Sequence, residues 1–132
     1  MDITISHEQG RVPVAVLHIK GDVDAKTQEQ LRKQAKEAIE AGASNMVLDL
    51  AAVSYVSSAG LGAIHYIFTL LRTNAPSESD AAMNKGLRDG TFKSPHLKLL
   101  DPTPAVSQVL STAGMDMYLE VHRNLQDAVA SF

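Results

Sequence analysis

The chain has 132 residues, enough for one domain of ordinary size, and its composition is that of a folded protein. Hydrophobic residues make up 45% and charged residues 20%, so the sequence can bury a core and is not typical of disorder. The formal net charge of −3 at pH 7 gives no indication of the basic surface that nucleic-acid binding normally needs.

Targeting features are also missing from the sequence. No apolar run approaches the roughly 20 residues that cross a bilayer. The N-terminus, MDITISHEQG, lacks the basic start and apolar stretch of a signal peptide. The absence of cysteine excludes disulfides and is compatible with the cytosol. We therefore expect a cytoplasmic protein that contacts neither membrane nor nucleic acid.

The predicted elements, taken in chain order, are those of an α/β protein. Alternating apolar residues predict strands, and apolar residues three or four positions apart predict helices. Strands are predicted over residues 2–6, 12–19, 46–50, 96–100 and, as a short strand, 117–121. Helices are predicted over about residues 25–41, 59–72, 104–113 and 125–132. The order β-β-α-β-α-β-α-(β)-α predicts a mixed sheet with parallel βαβ units and about four flanking helices.

Capping residues support the predicted helix starts. Asp24 or Thr27 precedes the first helix, and Ser58 is a natural N-cap for the second. Thr103, followed by proline at the first helical position, starts the third helix, and Asn124 starts the last.

One stretch shows no periodicity. Residues 73–95 are polar and contain two prolines and two glycines. They predict an unusually long polar loop within a single domain that spans residues 1–132.

The common enzyme motifs are absent from the sequence. The five histidines, at positions 7, 18, 65, 96 and 122, show no metal-ligand spacing. No Gly-Lys-Ser/Thr follows a glycine run, and Ser58 lacks the glycine two residues before it that a nucleophile elbow needs. We therefore expect no catalytic residues, no metal and no cofactor.

One junction in the chain is unusual. Residues 47–64, VLDLAAVSYVSSAGLGAI, predict a strand, a loop and a helix start that carries two hydroxyls, Ser57 and Ser58. Gly60 and Gly62 in the first helical turn cost about 1 kcal/mol each relative to alanine. Either these residues form an ordinary cap and pack closely on the sheet, or they keep the surface open for a partner. A helix N-terminus would favour an anion there, including a phosphate on Ser58.

Three segments together resemble one known family. DLAAVSYVSSAGLGAI, residues 49–64, resembles the signature of STAS domains in anti-sigma factor antagonists. Residues 21–24, Gly-Asp-Val-Asp, resemble the turn of that family between the second strand and the first helix. Residues 101–106, Asp-Pro-Thr-Pro-Ala-Val, resemble the start of its third helix. The element order agrees over nearly the whole chain, so the resemblance implies a STAS-type mixed sheet.

The resemblance also implies a function. In this family the unphosphorylated protein binds an anti-sigma factor serine kinase and so releases a sigma factor. The kinase, with ATP bound on its own side, then phosphorylates a serine that corresponds to Ser58, and a phosphatase reverses the reaction. Ser57 stands where relatives often have aspartate and is a second candidate acceptor. The surface expected to bind the partner comprises Asp22, Asp24, Tyr55, Ser57, Gly60 and Leu61.

Two alternative functions remain open. The chain could be a non-switching STAS binding subunit of a lipid-transport or stress-sensing assembly, because fold does not settle function. It could also be a small enzyme or nucleotide-binding protein. The presence of Ser58 favours the switch, and no residue is placed to act as its base, since His65 points elsewhere by helical spacing. We expect a monomer or a weak dimer.

Overall fold

A five-stranded mixed sheet forms the centre of the structure, a computed structural model that describes residues 1–73 and 93–132. Its strands are β1 (Asp2–Gln9), β2 (Pro13–Lys20), β3 (Met46–Ala52), β4 (Leu97–Leu100) and β5 (Glu120–His122). The strands lie in the sheet in chain order. The β1–β2 pair is antiparallel and each later pair is parallel, which confirms the predicted mixed sheet.

Helices cover both faces of this sheet. They are α1 (Gln28–Glu40), α2 (Ser58–Thr73), α3 (Pro104–Thr112) and α4 (Leu125–Ala130). In strands, successive side chains point to opposite faces. The cross-strand pair Leu17 and Leu48 therefore joins the core formed with α1, α2 and α3, whereas the pair Val16 and Val47 packs with α4 on the other face.

Two predicted helix caps are confirmed. The Thr103 hydroxyl accepts a hydrogen bond from the backbone N–H of Val106 at 3.3 Å, and Pro104 occupies the first turn of α3. The Asn124 side chain accepts one from the N–H of Asp127 at 2.9 Å. Each cap satisfies an N–H group that the helix itself leaves unpaired.

The first helix begins about three residues later than predicted, directly after Thr27, one of the two predicted cap residues. Residues 25–27 form a turn, and α1 begins at Gln28. Thr27 precedes α1 but makes no side-chain cap bond to it. Its hydroxyl instead donates to the carbonyl oxygen of Asp22 at 2.8 Å and accepts from the N–H of Asp24 at 2.9 Å. These local hydrogen bonds hold a separate turn ahead of the helix.

The last strand begins three residues later and ends one residue later than predicted. Gly114 adopts a left-handed conformation with φ of 75°, and Met115–Met117 form a 3₁₀ turn, so the chain joins the sheet only at Glu120. The predicted loop at residues 73–95 lies for the most part outside the described residues, since 74–92 are not described.

Candidate partner-binding site

Two loops meet at the carboxyl edge of the sheet. One follows β2 and the other follows β3; because these strands are parallel, both loops emerge at the same edge. The N–H of Val23 donates to the carbonyl oxygen of Tyr55 at 2.9 Å, and the N–H of Ser57 donates to the carbonyl oxygen of Val23 at 2.9 Å. The fold thereby brings together the acidic turn and the serine pair, which are more than 30 residues apart in the chain.

The helix entrance is capped by Ser57, and the prediction that Ser58 caps it was wrong. The Ser57 hydroxyl accepts a hydrogen bond from the N–H of Gly60 at 3.2 Å, and its carbonyl accepts the first helical bond, from Leu61, at 2.9 Å. Ser58 is therefore the first helical residue and its side chain is exposed. Within residues 1–73 and 93–132, no side-chain hydrogen bond of Ser58 is formed.

Gly60 is required by close packing. The residue is buried, and a Cβ atom added to it would overlap the carbonyl oxygen of Val23 and lie 2.9 Å from Cγ1 of Val56. Of the two explanations for the glycines, packing of the helix against the neighbouring loop accounts for Gly60. Any contribution of Gly60 to partner binding would be indirect, through the position of this loop.

The acidic turn carries two carboxylates with different roles. Oδ1 of Asp24 accepts hydrogen bonds from the N–H groups of Lys26 at 2.9 Å and Thr27 at 3.1 Å. These two backbone bonds, the one from Lys26 first, lower the pKa of Asp24 below its ordinary value. The Asp22 side chain is exposed. Asp24 therefore shapes the turn before α1 while keeping its negative charge at neutral pH.

The apolar residues expected at this site differ in exposure. Tyr55 is 53% exposed and stands among the most exposed large apolar side chains of the described residues. Leu61 is half-buried and packs against the main core. Tyr55 can thus offer a ring to a partner, whereas Leu61 can offer only part of its surface.

A hydrogen-bonded chain of three side chains, which crosses three strands, was not predicted from the sequence. Nδ1 of His18 lies 2.7 Å from Oδ2 of Asp49, and its Nε2 lies 2.9 Å from Oγ of Ser6. Oδ1 of Asp49 also accepts from the N–H of Ala51 at 3.1 Å. His18 pairs with Asp49 in the parallel register of β2 and β3, so the alignment of these strands would have been the signal for this contact.

Ser6, His18 and Asp49 are hydrogen-bonded in the same order as the serine, histidine and aspartate of a serine hydrolase. A hydrolase also needs a pocket with converging polar groups. A groove of about 630 Å³ lies between the first hairpin and the end of α1, and its lining includes Ile5 and His7 but neither Ser6 nor His18. The three hydrogen-bonded side chains connect β1, β2 and β3.

Among residues 1–73 and 93–132, no three His, Cys, Asp or Glu side chains lie close enough together to hold a metal ion. Of the helices in this part of the chain, none combines the length and apolar character that crossing a membrane requires.

The order of the elements and the two joined loops at the start of α2 define a small α/β protein of the STAS type. The chain belongs to the STAS domain family, because residues 6–75, more than half of the sequence, match it. This confirms the predicted family and fold class.

Solved structures share the fold. An anti-sigma factor antagonist from Mycobacterium paratuberculosis is similar with a TM-score of 0.68 at 18% identity, over 98% of this chain and 93% of that one. The anti-sigma factor antagonist SpoIIAA in its unphosphorylated form gives 0.66 at 19% identity, over 96% and 93%. SpoIIAA of Bacillus in the phosphorylated form gives 0.61 at 19% identity, over 96% of both chains. At such identities the similarity shows the fold.

Proposed function

We propose that this protein is an anti-sigma factor antagonist whose partner binding is switched off by phosphorylation of Ser58. The observation that supports this proposal is the exposed hydroxyl of Ser58, the first residue of α2. No other described residue forms a hydrogen bond with this hydroxyl. Similar folds are found in anti-sigma factor antagonists, and one of these structures is a phosphorylated form. That likeness supports the same class of function here.

Ser58 is the better acceptor of the two serines. Ser57 is half-buried and its hydroxyl caps α2 through Gly60, so a phosphate on Ser57 would replace the cap. A phosphate on Ser58 leaves this hydrogen bond in place. Its charge would also lie near the N–H groups that begin the helix, where anions are stabilised.

The switch acts through charge. Phosphorylation adds about −1.5 to −2 charges at pH 7. The loop bonded to the helix entrance already carries the carboxylates of Asp22 and Asp24. A partner that buries this cluster pays desolvation and like-charge repulsion, and each 1.4 kcal/mol lowers affinity tenfold.

The proposed partner surface combines this acidic turn with the exposed ring of Tyr55, the helix entrance at Ser57 and Ser58 and the outer part of Leu61. Gly60 contributes by positioning the neighbouring loop. The partner is an anti-sigma factor serine kinase, which brings its own ATP, and a phosphatase restores the hydroxyl. The protein itself acts by binding, as a single STAS domain in the cytoplasm, and it is a monomer or weak dimer.

The direct test is intact-mass spectrometry with peptide mapping on protein isolated from its own cells, beside a Ser58→Ala variant. One phosphate on Ser58, absent from the variant, is the expected result. Phosphate on Ser57 would move the site by one residue. The absence of phosphate under every growth condition would contradict the proposed switch. It would favour the alternative function, a non-switching STAS subunit of a larger assembly.

A second test measures binding to the purified kinase. Ser58→Ala should bind as the wild type does and take up no phosphate, whereas Ser58→Asp should bind at least tenfold more weakly. Ser54→Asp, which adds the same charge to an exposed position of the same loop, is the matched control. Uptake or turnover of labelled ATP or GTP by the protein alone would instead favour an enzyme.

A further inference from the structure

Arg32 is a half-buried arginine between α1 and α2. Its guanidinium lies over the ring of Tyr66, with 4.9 Å from Cζ to the ring centroid, and its Nε donates to Oε1 of Gln28 at 2.5 Å. Within the described part of the chain, its Nη1 and Nη2 groups have no hydrogen-bond acceptor and no carboxylate partner. These two nitrogens can therefore bind an anion.

Gly62, in the second turn of α2, lies next to this guanidinium. A Cβ atom at residue 62 would lie 3.4 Å from Nη2 of Arg32. Residues 58 and 62 are on one face of the helix, about 6 Å apart along its axis, and Cβ atoms tilt toward the N-terminus. Ser58 therefore lies one helical turn N-terminal to the glycine beside the guanidinium. A phosphoryl group lengthens the serine side chain and extends its reach.

We infer that Arg32 binds the phosphoryl group of phosphorylated Ser58. This inference rests on the proposed phosphorylation of Ser58. The guanidinium offers two parallel N–H groups, which match two phosphate oxygens, and such charge-assisted pairs are about twice as strong as neutral hydrogen bonds. Stacking on Tyr66 reduces the freedom that Arg32 loses on binding. The contact holds the phosphate against the α1–α2 surface.

This contact has a regulatory consequence. A phosphate held by Arg32 is partly covered by the protein's own side chains, so the phosphatase has to displace the guanidinium before it reaches the phosphorus. Arg32 therefore prolongs the phosphorylated state.

The test uses phosphoserine placed at residue 58 during translation, so that no kinase is needed. Two-dimensional NMR then follows the guanidinium N–H signals of Arg32 in the phosphorylated and unphosphorylated proteins. A large shift of the Arg32 signals and slower rotation about its Cζ–N bonds are expected on phosphorylation. Unchanged Arg32 signals would overturn the inference.

A thermodynamic cycle separates the phosphate contact from the packing role of Arg32. Urea unfolding is measured for wild type, Arg32→Gln, Arg32→Lys and Lys33→Gln, each with serine or phosphoserine at residue 58. Lys33 is exposed on the same helix and controls for the lost charge. Phosphorylation changes the folding equilibrium constant of each protein. For Arg32→Gln, this change should be about tenfold less favourable to the folded state than for wild type. Arg32→Lys should restore part of this loss. In Lys33→Gln, the effect of phosphorylation on the folding equilibrium should differ from that in wild type by less than twofold.

The result also separates this inference from the proposed function. If Arg32→Gln and Lys33→Gln behave alike in the cycle, Arg32 does not bind the phosphate, whatever happens in cells. If the cycle shows the coupling but the cellular protein carries no phosphate on Ser58, the contact is real and the proposed function fails.

Discussion

The backbone of Gly60, in the first turn of α2, lies directly against the carbonyl oxygen of Val23, in the loop after β2. That same oxygen accepts the N–H of Ser57 at 2.9 Å. One carbonyl group therefore sets both where α2 begins and how closely the acidic turn approaches it. The distance between Ser58 and the two carboxylates depends on a residue without a side chain at position 60.

Gly60→Ala should disturb this arrangement. Its methyl group would overlap the Val23 oxygen, so we expect the free energy of unfolding to fall by about 1–3 kcal/mol, as overpacking does. Urea denaturation measures the loss. Gly62→Ala is the matched control, because its methyl would meet only the flexible Arg32, and alanine favours helix by up to about 1 kcal/mol. Equal losses for the two variants would contradict this account of Gly60.

Asp24 should stabilise the fold only as a carboxylate. Because its pKa is lowered in the folded protein, its contribution is complete above the ordinary value of 3.8 and is lost as pH falls through the lower folded pKa. We expect Asp24→Ala to be less stable than wild type at pH 7 and the difference to shrink below pH 3.8.

Urea unfolding at a series of pH values tests this dependence. Asp22→Ala serves as control, since the Asp22 carboxylate accepts no hydrogen bond from the residues that the structure describes. A difference between wild type and Asp24→Ala that does not change with pH would show that the backbone hydrogen bonds of Asp24 are unimportant.

Lys98 should anchor the C-terminal helix. It is only 3% exposed, and its ammonium lies 3.2 Å from Oε2 of Glu120, 3.0 Å from the carbonyl of Ser131 and 4.8 Å from the ring centroid of Phe132. We expect Lys98→Ala to lower the free energy of unfolding by about 2 kcal/mol, because it removes buried, charge-assisted bonds. Protection of the α4 amides from hydrogen exchange should fall as well.

The control for this variant is Lys36→Ala. Lys36 is exposed and its pair with Glu40, at 3.9 Å, spans one turn of a helix surface. Such pairs contribute about 0.5 kcal/mol or less. A Lys98→Ala variant no less stable than Lys36→Ala would contradict the anchoring role.

His18 should contribute to stability but not to binding. Its two ring nitrogens connect Ser6 and Asp49, so we expect His18→Ala to cost about 1–3 kcal/mol of unfolding free energy. Affinity for the kinase should stay within twofold of wild type, as it should for His7→Ala, an exposed residue of β1. A selective loss of kinase binding in His18→Ala would extend the partner surface to this face of the sheet.

Much of the fold could be predicted because its signals are local. Apolar alternation in β2 and the helical spacing around Ile64 and Phe68 depend on near neighbours, and both elements lie where they were expected. The caps at Thr103 and Asn124 were predictable for the same reason. The start of α1 was not, because Thr27 bonds to the loop before it instead of to the helix.

By itself, the sequence determined the order of the elements, the family and the two loops that form the candidate site. Only the tertiary structure decided which serine caps α2, since Ser57 and Ser58 have the same capping propensity. The hydrogen bond from the Ser57 N–H to the Val23 carbonyl fixes the position at which the chain enters the helix, and Ser57 is therefore the cap. It also placed Arg32 beside Gly62 and His18 between Ser6 and Asp49. These contacts join residues far apart in the chain, so they follow from the packing of helices and the register of strands, which no local pattern encodes.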